Sequence, residues 1–533
     1  MSYPRHIRTL IIEDEQGPID NYAAIFNQLK TKFDLAPPLF ARSYADAIAH
    51  LSNNLIFHLV IVDLGLPQTT HETAETGIEP GFEIVKQCAN RENYPIPSVL
   101  VISGRLGQAN LASLRESLQR NFWHGEMVNK GIDEADAIET ALNKINEYCG
   151  VGIFTRDGGN KLYPTLSPRE DDLLRRCVLD EPYCVGIDFE WWGAYQGTSV
   201  TETRKFGITK VLWGRFLLNE SNDPSRPWFF KFESAESAKY TQRDLSLMVQ
   251  KLSHIKRCSV KLGAQRSLIV TQQVGDSSAR PISLVELFVK STQEISATLP
   301  SIASDIAAQL TNLGSINEER LPASKLLWNW HDLGQIKAAY LQNNGDTNAA
   351  PVALLEKIQS ITTPIWVNRR NCTHGDLNAT NIALESTAGA YRAFIIDAAG
   401  MRVETAGRDL AMLEVTTLLH LKTTGNASCI ELCRALYLNG TNLPQLPPDA
   451  DKWPHPIRNI FLFVCEIRKQ ALHFNRLPIY GLLVFDCAML QLGGLSLQSR
   501  DNKITNPHDA VLLADLAADW LKTVAPDELA SVR

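Results

Sequence analysis

Short, uninterrupted apolar runs that end in a charged or hydroxyl residue recur along this chain. Leu10-Ile11-Ile12 leads into Glu13-Asp14-Glu15, and Leu59-Val60-Ile61-Val62 leads into Asp63. Val99-Leu100-Val101-Ile102 ends at Ser103-Gly104, Met127-Val128 precedes Asn129-Lys130, and Phe394-Ile395-Ile396 ends at Asp397. Runs this short and this apolar predict strands buried on both faces. Residues 211–218, 228–232 and 267–274 read as further strands. Ser167-Pro168-Arg169-Glu170 predicts a helix start, with a serine N-cap, proline at the first helical position and a glutamate completing a capping box. Leu173, Leu174 and Cys177 form the apolar stripe of that helix. Residues 150–160, rich in glycine, read as a turn-rich linker, and the stretch between Gln273 and His374 is mostly helical in pattern. The longest apolar run, residues 480–497, is broken by Asp486, Gln491 and Gly493-Gly494, which predicts a buried helix and not a membrane span.

A chain of 533 residues exceeds what one core supports, so about three or four units of ordinary domain size are expected. Apolar content of 44% with 21% charged residues is that of a soluble globular protein. A net charge of −7 disfavours non-specific nucleic-acid binding, which depends on neutralising phosphates. His254, Lys256, Arg257, Lys261 and Arg266 make a local basic group that reads as a solvated loop beside a strand. The ten cysteines show no Cys-x-x-Cys and no Cys/His quartet at zinc spacing; Cys429 and Cys433 share a helix face and read as core packing. With a strand beginning almost at once, no signal peptide is expected, and the expected compartment is a reducing cytoplasm.

The four acid- or hydroxyl-ended strands of the first part resemble the response-regulator receiver domain, over roughly residues 5–148. The resemblance implies a doubly wound α/β (flavodoxin-like) fold with its site at the carboxyl ends of parallel strands. It also implies that Glu13 and Asp14 bind magnesium with Asp63, that Asp63 accepts a phosphoryl group, that Ser103 binds a phosphoryl oxygen and that Lys130 neutralises its charge. The implied partner is a sensor histidine kinase as phosphoryl donor, and the receiver is a possible homodimer surface. Two departures stand out. Residues 68–80, rich in Thr and Glu, look like an insertion after the phospho-acceptor strand, and Met127 and Gly131 stand where an aromatic reporter and a proline are usual.

The second part carries a phosphoryl-transfer signature. Such chemistry asks for one carboxylate to orient the acceptor hydroxyl, and for an amide and a second carboxylate to hold magnesium on the phosphates. Asp376, Asn381 and Asp397 supply those groups, in the order and spacing of a kinase catalytic loop followed by a strand-borne Asp. His374-Gly375-Asp376 resembles the aminoglycoside and choline kinase-like phosphotransferases, and Arg408-Asp409-Leu410-Ala411 resembles the further Asp motif of that family. The resemblance implies a bilobal fold with a small β-rich lobe, a helical lobe with an inserted helical subdomain, and the cofactors ATP and Mg2+. Lys231 is the expected phosphate-contacting strand lysine, needing an acid partner because a lysine amid aromatics is costly to bury unpaired. Glu236 is the nearest acid; Glu233 and Asp244 are alternatives. Residues 193–199, with Gly197 and Ser199, form a possible phosphate-covering loop, and Gln272 sits at the expected adenine hinge. Trp328, Trp330 and His331 are aromatic enough to line an acceptor pocket.

The expected organisation is a receiver over residues 1–149, a linker and connecting helix over 150–180, a β-rich lobe over 181–275 and a helical lobe over 276–533. The expected function is a response regulator whose output is a Mg2+- and ATP-dependent phosphotransferase, controlled at Asp63 and acting on an unidentified hydroxyl acceptor. A phosphorylation-gated pseudokinase is the alternative, favoured weakly by the irregular glycine loop and the Asp397-Ala398-Ala399 sequence. A DNA-binding regulator is a second alternative, since Ser167-Pro168-Arg169-Glu170 resembles the start of a helix-turn-helix output domain. Pro182, Gly186 and Trp191-Trp192-Gly193 follow where that domain needs two more helices.

Overall fold

The computed structural model describes residues 6–525, apart from 54, 70–78, 92–94, 107–110, 156–165, 192–209, 219–227, 235–237, 239–242, 245–246, 248, 253–254, 263–265, 274–280, 291–294, 328–332, 345–349, 388–389, 397–400, 421–427, 439–443 and 498–506. The chain forms two compact units. The first comprises Met1–Trp191, Arg204–Lys239 and Ser259–Gln272, and the second Trp192–Thr203, Tyr240–Cys258 and Gln273–Arg533.

The first unit opens with strands β1 (Thr9–Ile12), β2 (Leu39–Ala41), β3 (Leu59–Val62), β4 (Ser98–Ser103) and β5 (Gly125–Asn129), interleaved with helices α1 (Gln16–Leu29), α2 (Tyr44–Ser52), α3 (Glu79–Asn90), α4 (Ala112–Asn121) and α5 (Glu134–Gly150). The strands are all parallel, in the order β2-β1-β3-β4-β5. This is the flavodoxin-like doubly wound order. Side chains alternate along each strand, so Ile11, Ile61, Leu100 and Ile102 pack with α1 and α5, while Leu10, Ile12, Val60 and Val101 pack with α2, α3 and α4. Burial on both faces is why β1, β3 and β4 read as continuous apolar runs, whereas the edge strands β2 and β5 are only partly buried.

A second sheet has the order β10-β11-β9-β8-β7-β6, built from β6 (Gly152–Thr155), β7 (Cys184–Trp191), β8 (Lys210–Leu218), β9 (Trp228–Ser234), β10 (Ile255–Leu262) and β11 (Arg266–Gln273). β7, β8 and β9 form an antiparallel meander, and β11 returns antiparallel to β9. Part of the segment read as a linker is therefore a strand: β6 pairs in parallel with β7, Ile153 opposite Ile187. Its four residues are too few, and two of its neighbours too rich in glycine, for a strand pattern to show in the sequence.

Helix α6 (Pro168–Leu179) has the expected capping box: the Ser167 hydroxyl accepts from the Glu170 amide, and the Glu170 carboxylate accepts from the Ser167 amide. Its Leu173, Leu174, Cys177 and Val178 pack on Ile187, Leu212, Phe216, Phe230, Phe232 and Leu268 of the second sheet. The three arginines of its other side reach helix ends of the receiver.

The second unit is mainly helical, with two three-stranded sheets. One has the order β12-β15-β16, from β12 (Ile282–Ser283), β15 (Ile382–Thr387) and β16 (Ala390–Ile395); the other has the order β13-β14-β17, from β13 (Ile316–Pro322), β14 (Pro364–Thr373) and β17 (Arg402–Thr405). The second sheet interrupts what the sequence suggested was a helical crossing. β13 is exposed along most of its length and carries Asn317, Glu318, Glu319 and Arg320, so it lacks the apolar alternation of a half-buried strand. Charges on such an edge also discourage pairing with other chains. The long apolar run is a buried helix, Leu477–Leu497, packed against Pro507–Val524, Leu333–Asn344 and Arg408–His420. No helix of the described residues is long and apolar enough to cross a membrane.

Inside this helical body the Glu414 carboxylate accepts from Arg468 Nε and Nη2 (3.1 and 2.7 Å) and from the hydroxyls of Tyr437 (2.7 Å) and Tyr480 (2.9 Å). Arg468 also lies over the Trp520 ring, 4.3 Å from its centroid. Both charges are fully buried, so removing one strands the other. Glu414→Ala is expected to lower the stability of this unit by about 3–5 kcal/mol in urea unfolding followed by tryptophan fluorescence. An unchanged midpoint would show that the pair is not a structural anchor.

Candidate functional site

The carboxyl ends of β1, β3, β4 and β5 bring five of the expected residues together. Asp63 follows β3, and its Oδ1 accepts from the Ser103 hydroxyl (2.7 Å) and the Gly65 amide (3.2 Å). Its Oδ2 accepts from Lys130 Nζ at 2.9 Å, and the same ammonium lies 2.9 Å from Glu13 Oε2. Burial opposes ionisation of Asp63, but the Ser103 and Lys130 hydrogen bonds outweigh it and hold the carboxyl below its usual range. Burial pushes Glu13 up to about 7 in spite of Lys130, and it raises Asp14 as well. Lys130 itself is held charged: its hydrogen bonds to Asp63 and Glu13 outweigh its burial.

Glu13, Asp14 and Asp63 each offer a carboxylate oxygen, and these oxygens all lie within 4.8 Å of one another. Three oxygen donors of this kind suit a hard divalent cation such as magnesium. No other cluster of this kind occurs among the described residues. Past β5 the loop departs from the usual receiver: Gly131 has φ of +83°, which a proline with its φ locked near −65° cannot adopt. The Gly131 amide instead donates to Glu134 at 2.6 Å, tying the loop to the start of α5. The expected insertion falls mostly on residues 70–78, outside the described residues.

In the second unit, β14 delivers the chain into residues 374–381. His374 is fully buried and braces the loop with both ring nitrogens: Nε2 lies 3.1 Å from the Ile396 carbonyl, and Nδ1 accepts from the Asp376 amide at 3.4 Å. This pattern sets the Nε2–H tautomer. Gly375 has φ +86°, a left-handed conformation that glycine adopts without the strain a side chain would bring. The amides of His374 and Gly375 both donate to Asp409, at 3.0 Å each. Asn378 then caps a turn, accepting from the Thr380 and Asn381 amides. Asn381 Nδ2 donates to the Asp376 carbonyl (2.8 Å), which leaves Oδ1 as the atom its side chain can turn to a metal. Asp376 is thus presented at the surface on a loop whose anchors are buried.

Asp397 lies outside the described residues, as do Glu236, Gly197, Ser199, Trp328, Trp330 and His331. The residue before Asp397 is nonetheless fixed, since the Ile396 amide donates to the Asn381 carbonyl at 2.9 Å. In the first unit, Lys231 of β9 is partly buried and lies 3.6 Å from Glu233, one of the two alternative partners. The two sit two residues apart on a strand and so share a face. Gln272 ends the β11 ladder opposite Trp228.

Two residues named from the sequence make contacts that it did not announce. Asp409 was legible as part of a motif, but its role as acceptor for the 374–375 amides was not. Asp244 accepts from the Met401 amide at 3.2 Å, across 157 positions, and no local signal marks such a contact. It anchors the chain just where β17 begins, beside β14, where Thr373 pairs with Arg402.

A family model described as Ternary complex associated domain 9 matches residues 270–477. No curated protein matches the sequence. Among solved structures, a CheY-like response regulator receiver domain from Methylobacillus flagellatus is 20% identical, with 26% of this chain and 98% of that chain covered and a TM-score of 0.20. A microcompartment-associated aminopropanol kinase is 13% identical, covering 63% of this chain and 94% of its own, with a TM-score of 0.29. An ethanolamine kinase from Plasmodium vivax is 12% identical, covering 77% and 95%, with a TM-score of 0.29. By its own strand order, β2-β1-β3-β4-β5, the first part of the chain has the flavodoxin-like fold of a receiver, and the remainder is similar to the kinase-like structures above.

Proposed function

We propose that the protein is a response regulator whose receiver, phosphorylated on Asp63 by a sensor histidine kinase, controls an ATP-dependent phosphotransferase acting on a hydroxyl-bearing acceptor. The observation that carries the proposal is the pinned loop: Asp409 and His374 hold the backbone of residues 374–376, while Asp376 is exposed. A carboxylate so held accepts a hydrogen bond from the acceptor hydroxyl, orients its oxygen towards the γ-phosphorus of ATP and takes the proton as that oxygen bonds to phosphorus and the bond to the β,γ-bridging oxygen breaks, releasing ADP. Asn381 and Asp397 are the residues for magnesium, which when bound neutralises the phosphate charges. Lys231, on β9, is the clamp for the α and β phosphates.

At the receiver, the ionised Asp63 carboxylate is the nucleophile towards the donor phosphorus. Ser103 and Lys130, already within hydrogen-bond distance, are placed to hold the incoming phosphoryl oxygens. The Glu13, Asp14 and Asp63 carboxylates are the ligand set for a magnesium ion there.

The test is to measure Mg·ATP binding and ATP turnover of the full chain with and without acetyl phosphate, with Asp63→Ala as control. Phosphorylation is expected to change ATP affinity or turnover by roughly 5- to 150-fold, the usual scale of such linkage. The lower half of that range is expected, because Met127 replaces the aromatic that usually reports the site. Binding without turnover would identify a gated pseudokinase. Absence of both would refute the nucleotide reading.

A further inference from the structure

Helix α6 is buried on both sides. Towards the second sheet it presents Leu173, Leu174, Cys177 and Val178, against a core that includes Phe230 and Phe232. Those two phenylalanines flank Lys231 on β9, and side chains alternate along a strand, so Lys231 sits on the opposite face of the sheet from α6. Any tilt of α6 therefore bears on the strand that carries Lys231.

Towards the receiver, α6 presents three arginines, and each takes the carboxyl end of a different helix. Arg169 donates to the carbonyls of Ala89 and Arg91 (2.8 Å to Arg91), where α3 ends. Arg176 donates to the carbonyl of Phe122, the residue that caps α4 (3.4 Å). Arg175 donates to the Tyr148 and Val151 carbonyls at the end of α5 (3.2 and 2.6 Å). Helix carboxyl ends carry unsatisfied carbonyls and partial negative charge, so a guanidinium at each is the matching partner. Tyr148 adds a fourth tie, its hydroxyl donating to the fully buried Asp172 at 2.8 Å while its ring stacks on Trp123, 4.5 Å between centroids.

These helix ends precede β4, β5 and β6, so they lie where the strands begin, whereas Asp63, Ser103 and Lys130 lie where strands finish. We infer that α6 is the output element of the receiver, sensing through Arg169, Arg175 and Arg176 the relative positions of α3, α4 and α5 and passing them to the sheet that carries Lys231. The inference rests on the proposed control of the nucleotide site by Asp63 and names its route. A phosphoryl group on Asp63 acts on the loops that begin α3, α4 and α5; those helices are stiff, so a shift at one end appears at the other. Because each arginine is tied to a different helix, α6 follows their relative movement and not the movement of any one of them. Coupling carried by rigid elements with two discrete arrangements has this form.

The experiment compares parent, Arg169→Gln and Tyr148→Phe for Asp63 labelling by acetyl phosphate and for Mg·ATP affinity before and after labelling. Tyr148→Phe keeps the ring stack and removes one hydroxyl, so it remains informative if Arg169→Gln fails to fold. Both variants should label as the parent does and bind Mg·ATP within about 2-fold of the unlabelled parent, while the effect of labelling on affinity falls to less than half of the parent's fold-change. A folded variant with the full labelling effect overturns the inference. So does one whose unlabelled affinity changes while the labelling effect stays intact, because that is a merely structural role. A labelled parent with unchanged ATP affinity instead removes the control reading itself, which the parent measurement reveals before any variant is compared.

Discussion

Asp63→Ala is expected to abolish labelling by acetyl phosphate, the largest single effect predicted for this chain. The substitution removes the carboxylate that Ser103, Gly65 and Lys130 jointly address, and with it the proposed nucleophile. Lys130→Ala should retain slower labelling, because the nucleophile survives and only a charge partner is lost. Labelling should also depend on pH through the metal. Without a metal, burial raises Glu13 to about 7, so below that pH a proton competes with magnesium for the carboxylate. The magnesium concentration for half-maximal labelling should therefore fall as pH rises through about 7. Labelling of Asp63→Ala at the parental rate would place the phosphoryl acceptor elsewhere, and a magnesium requirement independent of pH would remove Glu13 from the ligand set.

Asp376→Ala should lower ATP-dependent turnover by about two to three decades, equivalent to roughly 3–4 kcal/mol of barrier, the usual cost of losing one preorganised contact. Because Asp376 is exposed and the loop is held by Asp409 and His374, the substitution leaves the fold and Mg·ATP affinity intact, so the loss should appear in kcat. Asp397→Ala should lower Mg·ATP affinity as well as turnover, since its proposed role is at the metal. The split between the two variants is the informative quantity. Near-parental turnover in a folded Asp376→Ala protein would mean that chemistry occurs at another site, and identical kinetic signatures for the two would contradict their separate roles.

Stability and coupling variants depend on different physics from these site variants. Glu414 lies in the helical body and stabilises it whether or not the chain turns over ATP. The α6 arginines bear on communication and leave the chemistry alone. A result at one of these positions therefore does not decide the others.

Much of the architecture is legible in local patterns because local physics produces it. Apolar runs ending at Glu13, Asp63 and Ser103 announce a parallel sheet, since only strands covered on both faces are apolar throughout; the short run before Lys130 belongs to a partly exposed edge strand. The capping box at Ser167 and Glu170 announces the start of α6, because its hydrogen bonds join residues three apart. The spacing of Asp376 and Asn381 is meaningful for the same reason: Asn381 reaches back to the Asp376 carbonyl within one loop. Local patterns thus carried the doubly wound fold, the grouping of Glu13, Asp14, Asp63, Ser103 and Lys130, and the hydrogen bonding within residues 376–381.

How distant segments hold those local features emerges only on folding. Nothing near Asp409 says that it receives the amides of His374 and Gly375, and nothing near Asp244 points to Met401. Strand β6 is recognisable only through its pairing with β7, and exposed, charged β13 only through its pairing with β14. The apolar stripe of α6 predicted one buried face; that its charged face is buried too, with each arginine at a separate helix end, depends on where three other helices finish. Hydrogen bonds to backbone carbonyls and amides leave no signature in the partner's side chain, because every residue type offers the same carbonyl. Such contacts are therefore invisible in sequence and appear only when the chain is folded.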